Sequence, residues 1–414
     1  MESGSFIKDK NIILGVCGGI AAYKSVELLR LIHETGGRAQ VVMTKNAGHF
    51  VGPVTFEALS GQSVLLDLFE NSGNGASIHH IDWARAADAV VIAPATANVI
   101  GKLVGGIADD ALTTLMLAVT APILICPAMN THMYRNASVQ RNLDRLRHDG
   151  YKIMEPASGQ LACGTVGPGR MRAPAEIVEK LIESLAPDDL EGKRFLVTAG
   201  PTREPIDPVR YISNPSSGKM GFAVARAARQ RGAEVTLVTG PVTLPDPIDI
   251  LVIRTGTARE MAAAVMNHFD TVDVVVKTAA VSDYRPESEA RRKIKKTRAE
   301  MTLNLIKNQD ILKALGLKKK RQFLVGFAAE TNELRENSNK KLKEKNLDIL
   351  VGNLIGPPDA GFESDNNTVS LFYRNGTVES WPVMSKDTVA HTLLDRVVRM
   401  MDKTDDDEST DRND

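Results

Sequence analysis

Residues 195–222 read FLVTAGPTREPIDPVRYISNPSSGKMGF, and the second half of the chain is organised around them. The apolar run 195–197 has the composition of a buried strand. It stops at Ala199-Gly200-Pro201, where Gly and Pro break regular structure. An irregular loop rich in Pro, Asp and Asn follows, and Ser216-Ser217-Gly218 leads into an apolar helical pattern from Met220. A strand, a polar loop and a helix start together make an anion site, because the first helical N–H groups lack intrahelical partners and point outward. Arg203, Arg210 and Lys219 add positive charge to the same place. The plainer alternative is an ordinary loop of an α/β domain. A P-loop is excluded: the first glycine is missing at the required spacing, and Met220 stands where Ser or Thr must hold magnesium.

The first half follows the same plan. Residues 11–16 (NIILGV) form a strand that turns through Gly18 and Gly19 into a helix. Further strands at 39–43, 89–93 and 122–126 each end in a polar or Pro-containing turn followed by a helical pattern. This is a doubly wound, Rossmann-like α/β arrangement, in which ligands sit beyond the carboxyl ends of parallel strands. A polar segment, 186–192, separates it from a second unit of the same kind, with strands at 195–197, 234–239, 250–254, 272–276, 323–327 and 347–351. A hairpin with an Asn-Gly turn at 375–376 and a helix from about 386 to 401 complete that unit. The expected division is 1–190, 191–402 and a disordered acidic tail, 403–414.

A chain of 414 residues calls for two domains. Its 51 basic and 51 acidic side chains give no net charge, which argues against nucleic acid or an anionic membrane as the main partner. No apolar run approaches the roughly 18 residues of a membrane span and no signal peptide is visible, so a cytoplasmic location is expected. The three cysteines, Cys17, Cys126 and Cys163, are widely spaced, as for reduced thiols.

Several residues carry both a plain and a chemical reading. His80, in SIHHID, is a surface histidine or a proton-handling group, with His79 beside it. Asn130 is a turn residue or a ligand for substrate. Cys163, in ACGTVGPGRM, is an inert thiol or part of a glycine-flanked flap. The basic runs at 291–296, 318–321 and 340–345 are solvated faces or an anion seat.

TAGPTREPIDPVRYISN and SSGKMGF, with KIKK, KNQDI and VGFAAET downstream, resemble the ligase half of the bifunctional phosphopantothenoylcysteine decarboxylase/phosphopantothenate–cysteine ligase family of bacterial coenzyme A synthesis. CGGIAAYK, APATAN, PAMN and ACGTVGPGR are similar to its decarboxylase half, itself like the flavin-containing cysteine decarboxylases. The resemblance covers about residues 10–401. For the first half it implies FMN held by Gly18, Gly19, Ile20, Thr44, Pro94, Ala95, Thr96, Ala97 and Asn98. Catalysis would fall to His80, Asn130 and Cys163, with Asn130 on the substrate carboxylate and Cys163 as proton donor. Loss of CO2 from a cysteinyl group needs an electron sink, which oxidised flavin creates by accepting a hydride equivalent. Cys17 stands where the family has Ser, and weaker FMN binding is expected from it.

For the second half the resemblance implies CTP-dependent joining of 4'-phosphopantothenate to cysteine through an acyl-cytidylate, with Mg2+ carried on the phosphates. It places Ala279, Asp283, Lys293, Gln309, Asp310, Ile311, Phe327, Lys341 and Lys345 at the nucleotide, with Asp283 on the nucleotide or the metal. Arg210 and Asn214 fall to the acyl substrate, and Lys293 is the main phosphate lysine. Gln309 replaces the family's Pro. The family also implies a homo-oligomer, with trimers of the flavin half building a dodecamer and ligase halves pairing. Two competing readings are a flavin-binding subunit without catalysis and a nicotinamide oxidoreductase. The joint presence of His80, Asn130 and Cys163 opposes the first, and the absence of GxGxxG with a following ribose-binding acid opposes the second.

Overall fold

The structure is a computed structural model that describes residues 6–68, 79–160, 164–295, 300–330, 334–354 and 364–410. The chain divides between Ala186 and Pro187 into two compact units.

In the first unit, five parallel strands lie in the order Arg38–Met43, Asn11–Val16, Ala89–Ala95, Ile123–Pro127, Lys152–Ile153. The inner strands are apolar on both faces because helices cover both: Ile12, Ile13, Leu14, Val90, Val91 and Ile92 are all buried. On one face Ile13, Val90, Ile92 and Ile125 meet Val99, Ile100, Leu112, Leu115 and Leu143. The helices Ala22–Glu34 and Pro174–Leu185 pack on each other and on the sheet, burying Leu28, Leu29, Ile32, Ile177 and Leu181. After the fifth strand an antiparallel hairpin, Ala157–Gln160 with Val166–Arg170, folds back against the turn that follows the fourth. Gly169 permits this. Its φ is +137°, and a Cβ there would lie 2.2 Å from the Met129 carbonyl oxygen.

In the second unit, eight strands run in the order Leu251–Arg254, Glu234–Thr239, Arg194–Ala199, Val274–Lys277, Phe323–Glu330, Ile349–Leu354, Val369–Tyr373, Val378–Ser380. The first six are parallel, Val369–Tyr373 runs against them, and Val378–Ser380 pairs antiparallel with Val369–Tyr373. Strand order reverses between Arg194–Ala199 and Val274–Lys277, which is where such sheets open a ligand crevice. The helix Lys219–Gln230 presses on this point through small residues, with Gly221, Ala223, Ala225, Ala227 and Ala228 buried.

Three expectations need correcting. The loop after Ala199 is not wholly irregular: Arg203–Pro205 pairs with Tyr211–Ser213 as a short antiparallel hairpin. Its turn is closed by the buried Asp207 carboxylate, which accepts the Val209 and Arg210 N–H groups. The polar segment 186–192 is not all linker. Leu190 is buried in the second core, and Asp189 pairs with the buried Arg231 guanidinium, which also donates to Asp395 and to the His391 carbonyl. The last helix, Lys386–Thr410, continues through the acidic run expected to be disordered, since no Gly or Pro interrupts it.

These contacts fix where the chain can be divided. A fragment beginning at Pro187 should fold and unfold cooperatively. One beginning at Lys193 loses the Leu190 burial and the Asp189 ion pair, and should be less stable by about 3 kcal/mol or more. Urea titration of the two fragments checks this; equal midpoints would return residues 187–192 to the linker.

Candidate active sites

In the first unit, four strand-end turns converge where the strand order reverses. Cys17 N–H donates to the Pro94 carbonyl at 3.3 Å, and Thr44 N–H donates to Val16 O at 3.0 Å. Thr44 is buried and leads into the turn Lys45–His49. Gly18 packs directly on that turn, where a Cβ would lie 2.6 Å from Asn46 Cβ. Gly19 faces open space instead: a Cβ there would have only Thr96 Cγ2, at 4.0 Å. Thr96 caps the helix Ala97–Gly105, its Oγ1 accepting the Val99 N–H. Two helix starts, Ala22 and Ala97, therefore meet at an uncovered glycine, and Ile20 beside it is 65% exposed. Such a cradle suits a phosphate-bearing cofactor.

Cys17 differs from its expected part. It is fully buried, the Thr96 N–H points at its sulfur, and burial pushes the thiol up to about 12. The side chain thus joins two turns from below.

Asn130 caps Thr131–Arg135, its Oδ1 accepting the His132 N–H at 2.8 Å. The neighbouring Ala128 N–H donates to Ala95 O, so this turn is tied to the Pro94–Asn98 turn. Met129 N–H donates to Gly169 O, which brings the hairpin base onto the same turn. Cys163 lies outside the described residues. His80 stands in the first turn of the helix His79–Ala86; its side chain lies outside them too. Lys24 escaped the sequence reading. It donates to Met171 O at 2.8 Å, and burial and then Arg170 pull its pKa down. The only sequence signal was its place in CGGIAAYK.

In the second unit, a cleft of about 400 Å3 opens at the strand-order reversal, beside the start of helix Lys219–Gln230. Asn214, Ala279, Asp283, Phe327, Lys341 and Lys345 all line it, as the sequence reading grouped them. Asn214 Nδ2 donates to Val281 O at 3.2 Å, which fixes its amide on the wall. Ser216 and Ser217 accept the Gly218 and Lys219 N–H groups, shaping the turn into the helix. Asp310 caps Ile311–Lys318 and holds Lys345 at 2.8 Å, so it acts on the cleft through that lysine.

Other expected residues lie elsewhere. Ile311 is a core residue, 2% exposed, because it begins the buried face of its helix. Gln309 and Lys293 are exposed and do not line the cleft. Arg210 does not line it either: its guanidinium is taken by Asp207 and by Ile294 O. Asp207, held well below the usual carboxylate range chiefly by Arg210, also accepts Ile294 N–H. This pair moors the backbone next to Lys293.

The cleft contains lysines that sequence reasoning did not assign to it. Lys277 ends a buried strand, and that break in an apolar run was a readable signal. Lys386 is nearly buried, donates to Ser364 O at 2.5 Å, and is pulled down by burial and then Lys219. Nothing near Lys386 in sequence pointed here. Among the described residues, Lys219, Lys277, Lys341, Lys345 and Lys386 line the cleft with one carboxylate, Asp283, while Asp365 and Asp310 pair with Lys219 and Lys345 from outside the lining. That imbalance favours a polyanion.

Residues 2–186 match the family described as Flavoprotein, and 190–401 match the DNA/pantothenate metabolism flavoprotein C-terminal domain. The Coenzyme A biosynthesis bifunctional protein CoaBC of Bacillus subtilis is 47% identical over 402 residues, covering 96% of this chain and 99% of that protein. Its Escherichia coli counterpart is 44% identical over 399 residues, covering 95% and 98%. A solved C-terminal domain of a CoaBC protein is 42% identical and covers 52% of this chain and 99% of its own, with a TM-score of 0.46. Both halves match in order and the curated relatives align over nearly their whole length, so the chain belongs to the family of coenzyme A biosynthesis bifunctional proteins.

Proposed function

We propose that the chain catalyses two consecutive steps of coenzyme A synthesis. The second unit ligates cysteine to 4'-phosphopantothenate with CTP, and the first decarboxylates the resulting phosphopantothenoylcysteine to 4'-phosphopantetheine. The observation that carries this reading is the near full-length match to bifunctional relatives, on a chain whose two units each reverse strand order once among parallel strands, with a cleft at the reversal of the second.

In the first unit the open glycine at 19 and the two helix starts suit the phosphate of FMN, with Gly18, Ile20, Thr44 and the Pro94–Asn98 turn around it. When bound, FMN supplies reversible hydride acceptance. Asn130 is assigned to the substrate carboxylate, His80 to substrate orientation or proton transfer, and Cys163 to the returning proton. The clamp of Gly169 on Met129 supports the pairing of hairpin and Asn130 turn in one site.

In the second unit the carboxylate of phosphopantothenate attacks the α-phosphorus of CTP, pyrophosphate leaves, and the cysteine amine displaces CMP. Lysines stabilise the accumulating phosphate charge. Asn214 has a second N–H beyond the one given to Val281 O, available to the acyl carbonyl. Mg2+ is assigned to the phosphate oxygens of CTP, with Asp283 on the cleft wall as its protein carboxylate. Lys293 is assigned to the same phosphates, as an exposed lysine whose neighbour Ile294 is moored by Arg210 and Asp207.

No helix among the described residues is long and apolar enough to cross a membrane. A cytoplasmic location is proposed from the chain's place in coenzyme A synthesis. A homo-oligomer, with trimers of the flavin half building a dodecamer and ligase halves pairing, is proposed from the family resemblance alone.

Two measurements test the assignments. Cys163→Ser should bind FMN, consume phosphopantothenoylcysteine and accumulate an oxidised decarboxylated product; normal release of 4'-phosphopantetheine would remove the thiol from the reaction. Lys293→Gln should slow pyrophosphate release from CTP and phosphopantothenate by roughly a hundredfold, with decarboxylation untouched. Asn214→Asp should instead impair product formation from the acyl-cytidylate. Wild-type ligation by Lys293→Gln would reduce the 291–296 run to a solvated face.

A further inference from the structure

Lys277 is half-buried on the wall of the lysine-rich cleft, at the carboxyl end of the central strand Val274–Lys277. Its strand is hydrogen-bonded on both sides, to Arg194–Ala199 and to Phe323–Glu330, so its backbone is fixed. Its Nζ donates to the Ala279 carbonyl at 3.2 Å, and no carboxylate of the described residues comes within ion-pairing distance. Asp310, the acid best placed to neutralise the cluster, is engaged by Lys345. The charged groups facing Lys277 are Lys345 and Lys341, which disfavour its cation, and Asp310 and Asp283, which favour it. Burial is the largest influence, and together they bring the ammonium down to about 8. The other basic side chain type available to a phosphate site, arginine, cannot lose its proton.

Ligation makes two opposed demands on such a group. Activation gathers negative charge on phosphate and calls for a cation. Amide formation releases protons: the cysteine amine enters neutral after leaving one proton in solvent, and its nitrogen must shed a second as the C–N bond forms. The C–O bond to the CMP phosphate breaks with its electron pair, so CMP departs as an anion and does not take up that proton near neutral pH. We propose that Lys277 serves both demands in turn: it is a cation beside the triphosphate, it releases its own proton to solvent once pyrophosphate has gone, and the neutral amine then accepts the proton from the attacking cysteine nitrogen. The sequence follows from the electrostatics. A bound triphosphate raises the lysine's proton affinity, and its partial departure lowers it again.

This inference rests on the CTP-ligase reading, and the test keeps the two apart. The full chain is supplied with CTP, Mg2+ and 4'-phosphopantothenate, and pyrophosphate is followed first. The acyl-cytidylate is then offered cysteine and hydroxylamine together. Hydroxylamine is the reference because its adduct is acidic enough to give its proton to water. The readout is the ratio of cysteine amide to hydroxamate, which does not depend on how much acyl-cytidylate has formed. In Lys277→Arg the charge stays while the proton is fixed, so the ratio should fall about a hundredfold. Lys277→Met should show the same fall in ratio and a slower pyrophosphate release as well. An unchanged ratio in both variants would overturn the proton role, whatever happens to pyrophosphate. Absence of pyrophosphate from the unmodified chain would instead remove the ligase reading itself.

Discussion

The second cleft depends on one close approach. At Gly221, a Cβ would stand 2.5 Å from Thr278 Oγ1, 2.6 Å from Ala199 Cβ and 2.8 Å from the Thr198 carbonyl oxygen. Only hydrogen fits, and the helix Lys219–Gln230 therefore lies unusually near the strand Arg194–Ala199. The same contact sets the start of that helix, with Gly218 at φ +78°, against the ends of two central strands. Thr278 and Thr198 lock the arrangement, since Thr278 Oγ1 donates to Thr198 O at 2.6 Å and Thr198 Oγ1 accepts the Ala279 N–H. Asn214, Lys277 and Ala279 take their positions on the cleft wall from this cluster.

The first unit reaches a comparable result by different means. There no single contact dominates; the turns are wired to each other by backbone hydrogen bonds. Cys17 to Pro94, Thr44 to Val16, Ala128 to Ala95 and Met129 to Gly169 form a chain through four strand ends and the hairpin. Backbone wiring tolerates side-chain change, which fits a thiol at 17: what matters there is a small group that fills the core and receives the Thr96 N–H.

Much of this could be read from the residues, and the failures have physical causes. Strands such as 11–16 and 234–239 were legible because parallel strands covered on both faces are continuous apolar runs bounded by polar turns. The groups that meet at Asn214, Asp283 and Phe327 were legible through their motifs, since each sits at a strand end or turn. Lys386 was not, because its place depends on a helix packing from a distant part of the chain. Leu190 was missed because one apolar residue in a polar segment carries no period. The inward side chain of Ile311 was not legible, because a motif marks a stretch of chain, whereas the pleat and the helix face decide which side chain of that stretch looks outward.

Asp207 gives the second unit a built-in response to acid. Its carboxylate is hydrogen-bonded to Arg210 and to three backbone N–H groups, two within its own turn and one at Ile294. A carboxyl whose pKa is depressed on folding lends stability above its unfolded value, near 4, and withdraws it as the pH falls toward the folded one. What it holds is a tether between two loops, the 207–210 turn and the segment at 294. As the pH falls toward that folded value the carboxylate loses its charge, the 207–210 turn is released from the segment at 294, and the basic loop beside it comes adrift.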